Sequence, residues 1–336
     1  NEPINEVVQI KGQSMAHPTL NRTDEFADFE IYNFTVGSAA KESANVFPGS
    51  YARMGLRTGL KFKETLGVNP FKFGLIGSSD SHNSNSPAAE NNYTGASGRR
   101  DSQAKARLTS KDPKIIKRSS GGLAGVWADQ NSRAAIFDAI ARKETFATSG
   151  PRIRVRFFAG YEFQDTHDSI QAMAKDGYAN GVPMGGDLSP GDSNESPTFL
   201  VWAVKDPDSA NLDRVQIIKD WVENGETKER IYNVALSDNR QVAADGSVSD
   251  NGARVDLETG EYSSDIGDVH LHARWTDPDF DPKQEALYFA RVIENPTPRW
   301  STLQAIQLGM QLSDIVSLVI RERAWSSPIW YSPAAK

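Results

Sequence analysis

Apolar positions along residues 1–152 come in short groups whose spacing switches between the period of a strand and the period of a helix. Glu6-Val7-Val8-Gln9-Ile10 is rich in β-formers and stops at Gly12, which predicts a strand. From Glu25 to Phe34 the apolar residues Phe26, Phe29, Ile31 and Phe34 follow no clean period. Between Ser50 and Leu66, Tyr51, Met54, Leu56, Leu60, Phe62 and Leu66 alternate with Arg and Lys, predicting an amphipathic helix that ends at Gly67. Phe71 to Ile76 then reads as a buried strand running into the polar segment Gly77-Ser78-Ser79-Asp80-Ser81-His82. Residues 83–121, rich in Asn, Ser, Gly, Lys and Arg, are long for a loop and so stand as an active-site or lid candidate. Asn131 or Ser132 can cap a helix carrying Ala135, Ile136, Ala139 and Ile140, and Glu144 to Thr148 resumes a strand. This rhythm is that of an α/β region.

After Arg152 the pattern changes to short strands: Ile153/Val155/Phe157, Thr198 to Ala203, Val215 to Ile218, Arg230 to Tyr232, Val269 to His272 and Ala286 to Val292. Asp206-Pro207-Asp208, Ala244-Asp245-Gly246 and Asp277-Pro278-Asp279 supply the turns between them. The pattern predicts an antiparallel β-sandwich of about seven or eight strands. The expected fold class is therefore α/β plus all-β, divided into residues 1–152 and residues 153–336.

With 336 residues, 38% of them hydrophobic, the chain is long enough for two cores. A formal charge of −7 gives no general attraction to nucleic acid, and none is expected as a partner. The apolar run Ile315 to Ile320 is closed by Arg321, far short of the roughly 18 residues that span a bilayer, so no membrane segment is expected. The lack of cysteine removes disulfides and thiolate chemistry and leans toward an oxidising compartment, periplasmic or secreted, although no targeting segment can be read in the sequence as it opens at Asn1.

Candidate chemistry begins with Asp80-Ser81-His82. Residues i and i+2 of an extended segment project to one side, so the carboxylate and the imidazole can converge on one cation. Loop hydrogen bonds could equally satisfy both. His270-Leu271-His272 repeats the geometry with two imidazoles but has no acidic residue on its strand face, and reads as surface. His17 stands as a ligand, a substrate contact or a loop histidine bonded to backbone, and His167 reads as solvated surface. Arg99, Arg100 and Arg152 could hold an anion in bidentate fashion or be solvated charge. No G-x-S-x-G elbow, phosphate loop, H-E-x-x-H or G-x-G-x-x-G motif is present.

Longer words in the chain are more specific than its periodicity. Val8-Gln9-Ile10-Lys11-Gly12, Asp24-Glu25-Phe26-Ala27-Asp28-Phe29-Glu30, Gly77 to His82, Gly121-Gly122-Leu123-Ala124, Ala147 to Ile153, Pro183 to Leu188 and Arg323 to Tyr331 together resemble the domain of unknown function 3604 family over nearly the whole chain. That family looks like a branch of the PHP (polymerase and histidinol phosphatase) superfamily. The resemblance implies a distorted β/α barrel holding two or three divalent metal ions, Zn, Mn or Fe, for hydrolysis of a small anionic substrate such as a phosphoester. It makes Asp80 and His82 the late aspartate-x-histidine metal pair, likens Glu6 to a metal-bridging glutamate, and leaves His17 and Arg152 as the catalytic candidates. The superfamily's early histidine-x-histidine motif is absent. A β/α barrel needs about 250 residues, more than precede the sandwich, so this chain is expected to be the C-terminal portion of a barrel protein. Its partner would be the missing N-terminal part of the same protein, without which the metals could be absent. The expected function is a metal-dependent hydrolase; the competing one is a non-catalytic binding or scaffold protein that uses the sandwich.

Overall fold

The backbone hydrogen bonds of the chain sort its strands into four sheets, two of which face each other across the largest apolar core. This is a computed structural model, which describes residues 2–35, 47–85, 88–191 and 195–334. In chain order the strands are β1 (Ile4–Gln9), β2 (Gly12–Gln13), β3 (Gly74–Gly77), β4 (Leu123–Val126), β5 (Thr145–Thr148), β6 (Arg154–Gly160), β7 (Gly181–Pro183), β8 (Asp187–Leu188) and β9 (Thr198–Val204). They continue as β10 (Leu212–Glu223), β11 (Glu226–Leu236), β12 (His270–Thr276), β13 (Ala286–Glu294), β14 (Thr297–Pro298), β15 (Val319–Ile320), β16 (Arg323–Ser326) and β17 (Ile329–Tyr331). The α-helices are α1 (Phe47–Ser50), α2 (Ala52–Leu66), α3 (Ala104–Leu108), α4 (Pro113–Ile116), α5 (Arg133–Ala141), α6 (Ile170–Asn180) and α7 (Trp300–Gln307).

The eight-stranded sheet runs β11-β10-β13-β16-β5-β4, with β17 on β13 and β8 on β17; the four-stranded sheet runs β12-β9-β6-β7. Phe157, Phe199 and Val201 of the smaller sheet meet Val215, Ile217, Tyr288 and Ala290 of the larger in one core. The antiparallel sandwich read from the sequence is thus present in the sheet-rich part. The other face of the larger sheet is also covered: Ile218, Leu287, Phe289 and Trp330 pack on Val7, Leu56, Leu60 and Leu75 from β1, α2 and β3. With both faces covered, β13 is buried at all nine positions, which explains the unbroken apolar run where a half-exposed strand would alternate. Strands β4 and β5, from before residue 152, join β16 in this sheet. Backbone hydrogen bonds therefore link the two regions that the hydrophobic pattern sets apart.

The third sheet, β2-β1-β3, pairs β1 and β3 in parallel with α2 between them in sequence, a β/α unit. Among the described residues no sheet closes into a barrel. Local signals place the helices. α2 turns Arg53, Leu56, Arg57 and Leu60 inward, an i, i+3, i+4, i+7 face, and stops at Gly67, whose φ of 76° lets its N–H reach Lys63 O. Ser132 Oγ caps α5 by accepting from the Ala135 N–H at 3.3 Å. The 83–121 stretch carries a 3-10 turn at Glu90–Asn92 together with α3 and α4; residues 86–87 of it lie outside the described residues. Among the described residues no helix is long and apolar enough to cross a membrane.

Two of the inward residues of α2 are arginines, and they enter a buried ion network. Asp24, whose side chain is fully buried, accepts from Arg53 Nη1 at 2.6 Å and from Arg291 Nη1 and Nη2 at 2.7 and 2.8 Å. Arg53 also meets Glu229 of β11 at 2.9 Å, and Arg57 meets Asp220 of β10 at 2.7 Å. Burial alone would raise the Asp24 pKa, but the charges and hydrogen bonds of Arg291 and Arg53 hold it far below the ordinary carboxylate range.

Asp24→Asn would preserve shape and leave two buried guanidiniums short of a counter-charge, so urea unfolding at neutral pH should show a loss of about 3–5 kcal/mol. Because the folded pKa lies below the ordinary aspartate value of 3.8, the stabilisation is complete above that value and is lost as the pH falls through the folded one. The acid side of the stability curve should therefore be steeper for the parent chain than for the variant. Equal stability of the two at pH 7 would show that the network does not hold the layers together.

Candidate functional site

The parallel register Ile4↔Gly74, Asn5↔Leu75, Glu6↔Ile76 brings the C-terminal ends of β1 and β3 side by side. Their backbones stay paired past the strands, with Ser78 N–H on Val8 O at 3.0 Å and Ile10 N–H on Ser79 O at 3.1 Å. β3 can end so close to β5 because residue 77 is Gly: a Cβ there would lie 2.7 Å from Thr148 O. A bulge between Glu6 and Val8 shifts the pairing, so the side chains before and after it serve different places.

Asp80 follows β3 in the left-handed region, φ 48°, and its Oδ2 accepts from Gln9 Nε2 at 3.0 Å and from the Lys11 ammonium. Gln9 is itself fixed, because its Oε1 accepts from the Lys11 N–H at 2.5 Å. His82 Nε2 lies 3.5 Å from Asp80 Oδ1, so the i, i+2 pair converges as the sequence pattern predicts. The side chains of Asp80 and Lys11 are about one-third and one-quarter exposed, and that of His82 is 66% exposed, which leaves the imidazole free to meet a solute. The loop is braced from behind: His82 N–H bonds to Ala96 O at 2.8 Å, and Asn83 Nδ2 to Gly95 O at 2.9 Å. Asp101, fully buried, accepts from the Ala96 and Ser97 N–H groups and from Arg118 Nη1. The 83–121 stretch thus acts as a bracket for the site.

The remaining sequence candidates lie elsewhere. Glu6 borders a groove of about 1030 Å³ with Ser14, Tyr51 and Phe73, on the α2 side of β1. His17 packs its ring on Phe47 and Tyr51, with centroids 4.3 and 5.1 Å away, and its Nδ1 accepts from the Thr19 N–H at 3.1 Å; burial lowers its pKa. Tyr51 is therefore the neighbour that Glu6 and His17 share. Arg152 is exposed and borders a cavity of about 640 Å³ beside Asp206, Asp208 and Glu322. His270 and His272 are exposed on β12 and stack with Trp202, at centroid distances of 5.8 and 4.6 Å. His167, expected to be solvated, is instead buried and pairs with Asp176 of α6 at 2.7 Å. Sequence reasoning missed Lys11 and Gln9. Their own i, i+2 spacing at the end of a predicted strand was the available signal.

For a divalent cation, Asp80 and His82 offer one carboxylate and one imidazole, where about four to six donors are needed. Among the described residues no group of three or more His, Asp or Glu side chains is placed to hold a metal ion. The Lys11 ammonium already neutralises the carboxylate. These residues do not by themselves fit a metal centre.

A family model described as a protein of unknown function (DUF3604) matches residues 1–333 of the chain. No curated protein and no solved structure matches it.

A partly exposed ion pair contributes about 0–1 kcal/mol. Asp80→Asn, Lys11→Met and the double variant should accordingly lie within about 1 kcal/mol of the parent in urea unfolding, with a coupling energy no larger than that. A coupling of several kcal/mol would make the pair a structural strut.

Proposed function

The chain belongs to the protein family of unknown function DUF3604, and within it we propose that this chain supplies part of the site of a hydrolase for a small anionic ester, with a phosphoester as the leading substrate class. The observation that carries the reading is the convergence of Gln9, Lys11, Asp80 and His82 at the C-terminal ends of two adjacent parallel strands. In sheets built from β/α units, ligands bind at that edge. The β1-α2-β3 unit also supports the finer reading of the N-terminal region as a piece of a PHP-like barrel.

In this reading Lys11 supplies a fixed positive charge for an anionic oxygen, and Gln9 supplies an amide donor once substrate displaces the carboxylate. His82 is the group able to accept a proton from an attacking water and return it to a leaving oxygen. Asp80 is a positioning residue: it orients the imidazole through Oδ1 and steadies the imidazolium form. Divalent ions, which the resemblance implies, would need donors beyond Asp80 and His82, and no step here is routed through them.

The test is a panel of phosphomonoesters and phosphodiesters given to the full chain, with and without added Zn²⁺ or Mn²⁺. His82→Ala and Lys11→Met should each lower kcat/KM by about a hundredfold or more without changing the unfolding midpoint. Asp80→Asn should lower kcat more than it raises KM and should shift the pH profile. If no ester is turned over under any metal condition, or if His82→Ala hydrolyses as the parent does, the hydrolase reading fails.

A further inference from the structure

We propose that the cavity bordered by Glu90, Arg152, Tyr262 and Glu322 binds a small organic cation, a primary ammonium on a short apolar body. At about 640 Å³ it falls within the size range of small-ligand sites, and it shares no lining residue with the Asp80 site.

Carboxyl groups cluster here with few donors. Glu322 is 2% exposed; its Oε2 accepts from the Ser149 hydroxyl, and among the described residues no hydrogen bond reaches its Oε1. Glu90 Oε2 accepts from the Trp300 N–H at 2.5 Å, at the start of α7, while its Oε1 is buried and the Ser120 hydroxyl is the side-chain donor that acts on this carboxyl group. A third carboxyl group, Glu294, is wholly buried behind Ser209 of the cavity wall; Ser209 donates to its Oε2 at 2.6 Å, and its Oε1 has no partner.

The neighbouring cations are committed elsewhere. Arg299 spends Nε and Nη2 on Glu30, both at 2.8 Å, and the rest of its guanidinium on Ile116 O, Ser301 Oγ and Arg118 O. Arg323 donates to Arg321 O and Phe26 O. Arg152 stands at the exposed rim.

An unpaired carboxylate buried in this way costs several kcal/mol to ionise. Burial, with Glu90, Glu294 and Glu30 adding repulsion, holds the Glu322 pKa well above its usual value. Burial also raises the Glu90 pKa, with Arg299 opposing it and Glu30 adding to it. Burial, opposed by Ser209 and Lys205 and reinforced by Asp206, brings Glu294 to about 8. An arriving ammonium, with three N–H donors, would offset this cost at Glu322 and Glu90, the two of these acids that line the cavity.

Two observations select an organic amine over a metal ion. No group of three or more His, Asp or Glu among the described residues is arranged to hold a metal. Leu123, Pro151 and Leu303 give the cavity an apolar wall that suits a hydrocarbon body.

The experiment is isothermal titration of the full chain with n-pentylamine hydrochloride, with 1-pentanol and with ZnCl₂, while released protons are followed with an indicator dye. Saturable amine binding is expected, with proton release and with 1-pentanol at least about tenfold weaker. Glu322→Gln removes the charge and keeps the shape; Glu90→Gln keeps an oxygen for the Trp300 N–H. Each should weaken the amine at least about tenfold while the variant still unfolds cooperatively. Equal binding of alcohol and amine, unchanged amine affinity in both variants, no amine binding up to about 10 mM, or zinc binding that both variants abolish would each overturn the proposal.

Discussion

One buried carboxylate, Asp24, holds the molecule's layers in place. It joins Arg53 on the helical layer, which Glu229 also neutralises, to Arg291 in the middle of the central sheet, whose ion pair is with Asp24. The segment that follows Asp24 continues the theme. Glu25 takes Arg214, Phe26 lies beneath the guanidiniums of Arg214, Arg291 and Arg323 at 5.3 to 5.6 Å, Phe29 lies 3.9 Å from that of Arg323, and Glu30 takes Arg299. With its ends fixed, the segment sets the turn that carries the candidate site. Gln13 N–H bonds to Glu30 O, and Gly12, at φ 78°, sits where a Cβ would lie 1.9 Å from that oxygen. Lys11 owes its position beside Asp80 to this stack.

The same segment shows where the sequence is hard to read. Its aromatic and acidic residues have no helical or strand period because they are matched to arginines up to 299 residues further along the chain than Asp24 itself. Elements specified by their own residues were legible: the αL glycine closing α2, the serine cap of α5, the short apolar strands of the sandwich. α7 was not. Its N-cap residue, Arg299, makes no side-chain cap bond, and Glu90, 210 residues earlier, accepts from the Trp300 N–H instead. Sheet order was equally hidden, since β16 lies between β13 and β5 only through long-range pairing.

For the candidate site, one half was legible and the other was not. Asp80 and His82 are two residues apart and do converge, though through a left-handed turn at Asp80 and not along the extended segment that the pattern implied. Lys11 and Gln9 reach Asp80 only because β1 chose β3 as its parallel neighbour, a choice no local pattern expresses. Arg152 makes the complementary point. A guanidinium suggests an anion, but the surroundings of this one are carboxylates, and the character of a site follows from the sum of its charges.

That sum differs between the two places. Arg53, Arg57, Arg291 and Arg299 are each buried opposite a carboxylate, whereas the buried Arg107 and Arg323 donate to amide or carbonyl oxygens instead. At the ends of β1 and β3 the balance is also even, one ammonium to one carboxylate, and a binding partner there must exchange with a pair already made. Around Glu294 and Glu322, which are buried, and Glu90, whose free oxygen is buried, the acid is in excess, and among the described residues no arginine or lysine donates to it. Stability alone would favour apolar side chains of similar volume at those positions, because an uncompensated buried carboxyl group weakens a fold. Three acids left without a cation in one region are a departure from that rule, and the charge of a ligand is what would restore the balance there.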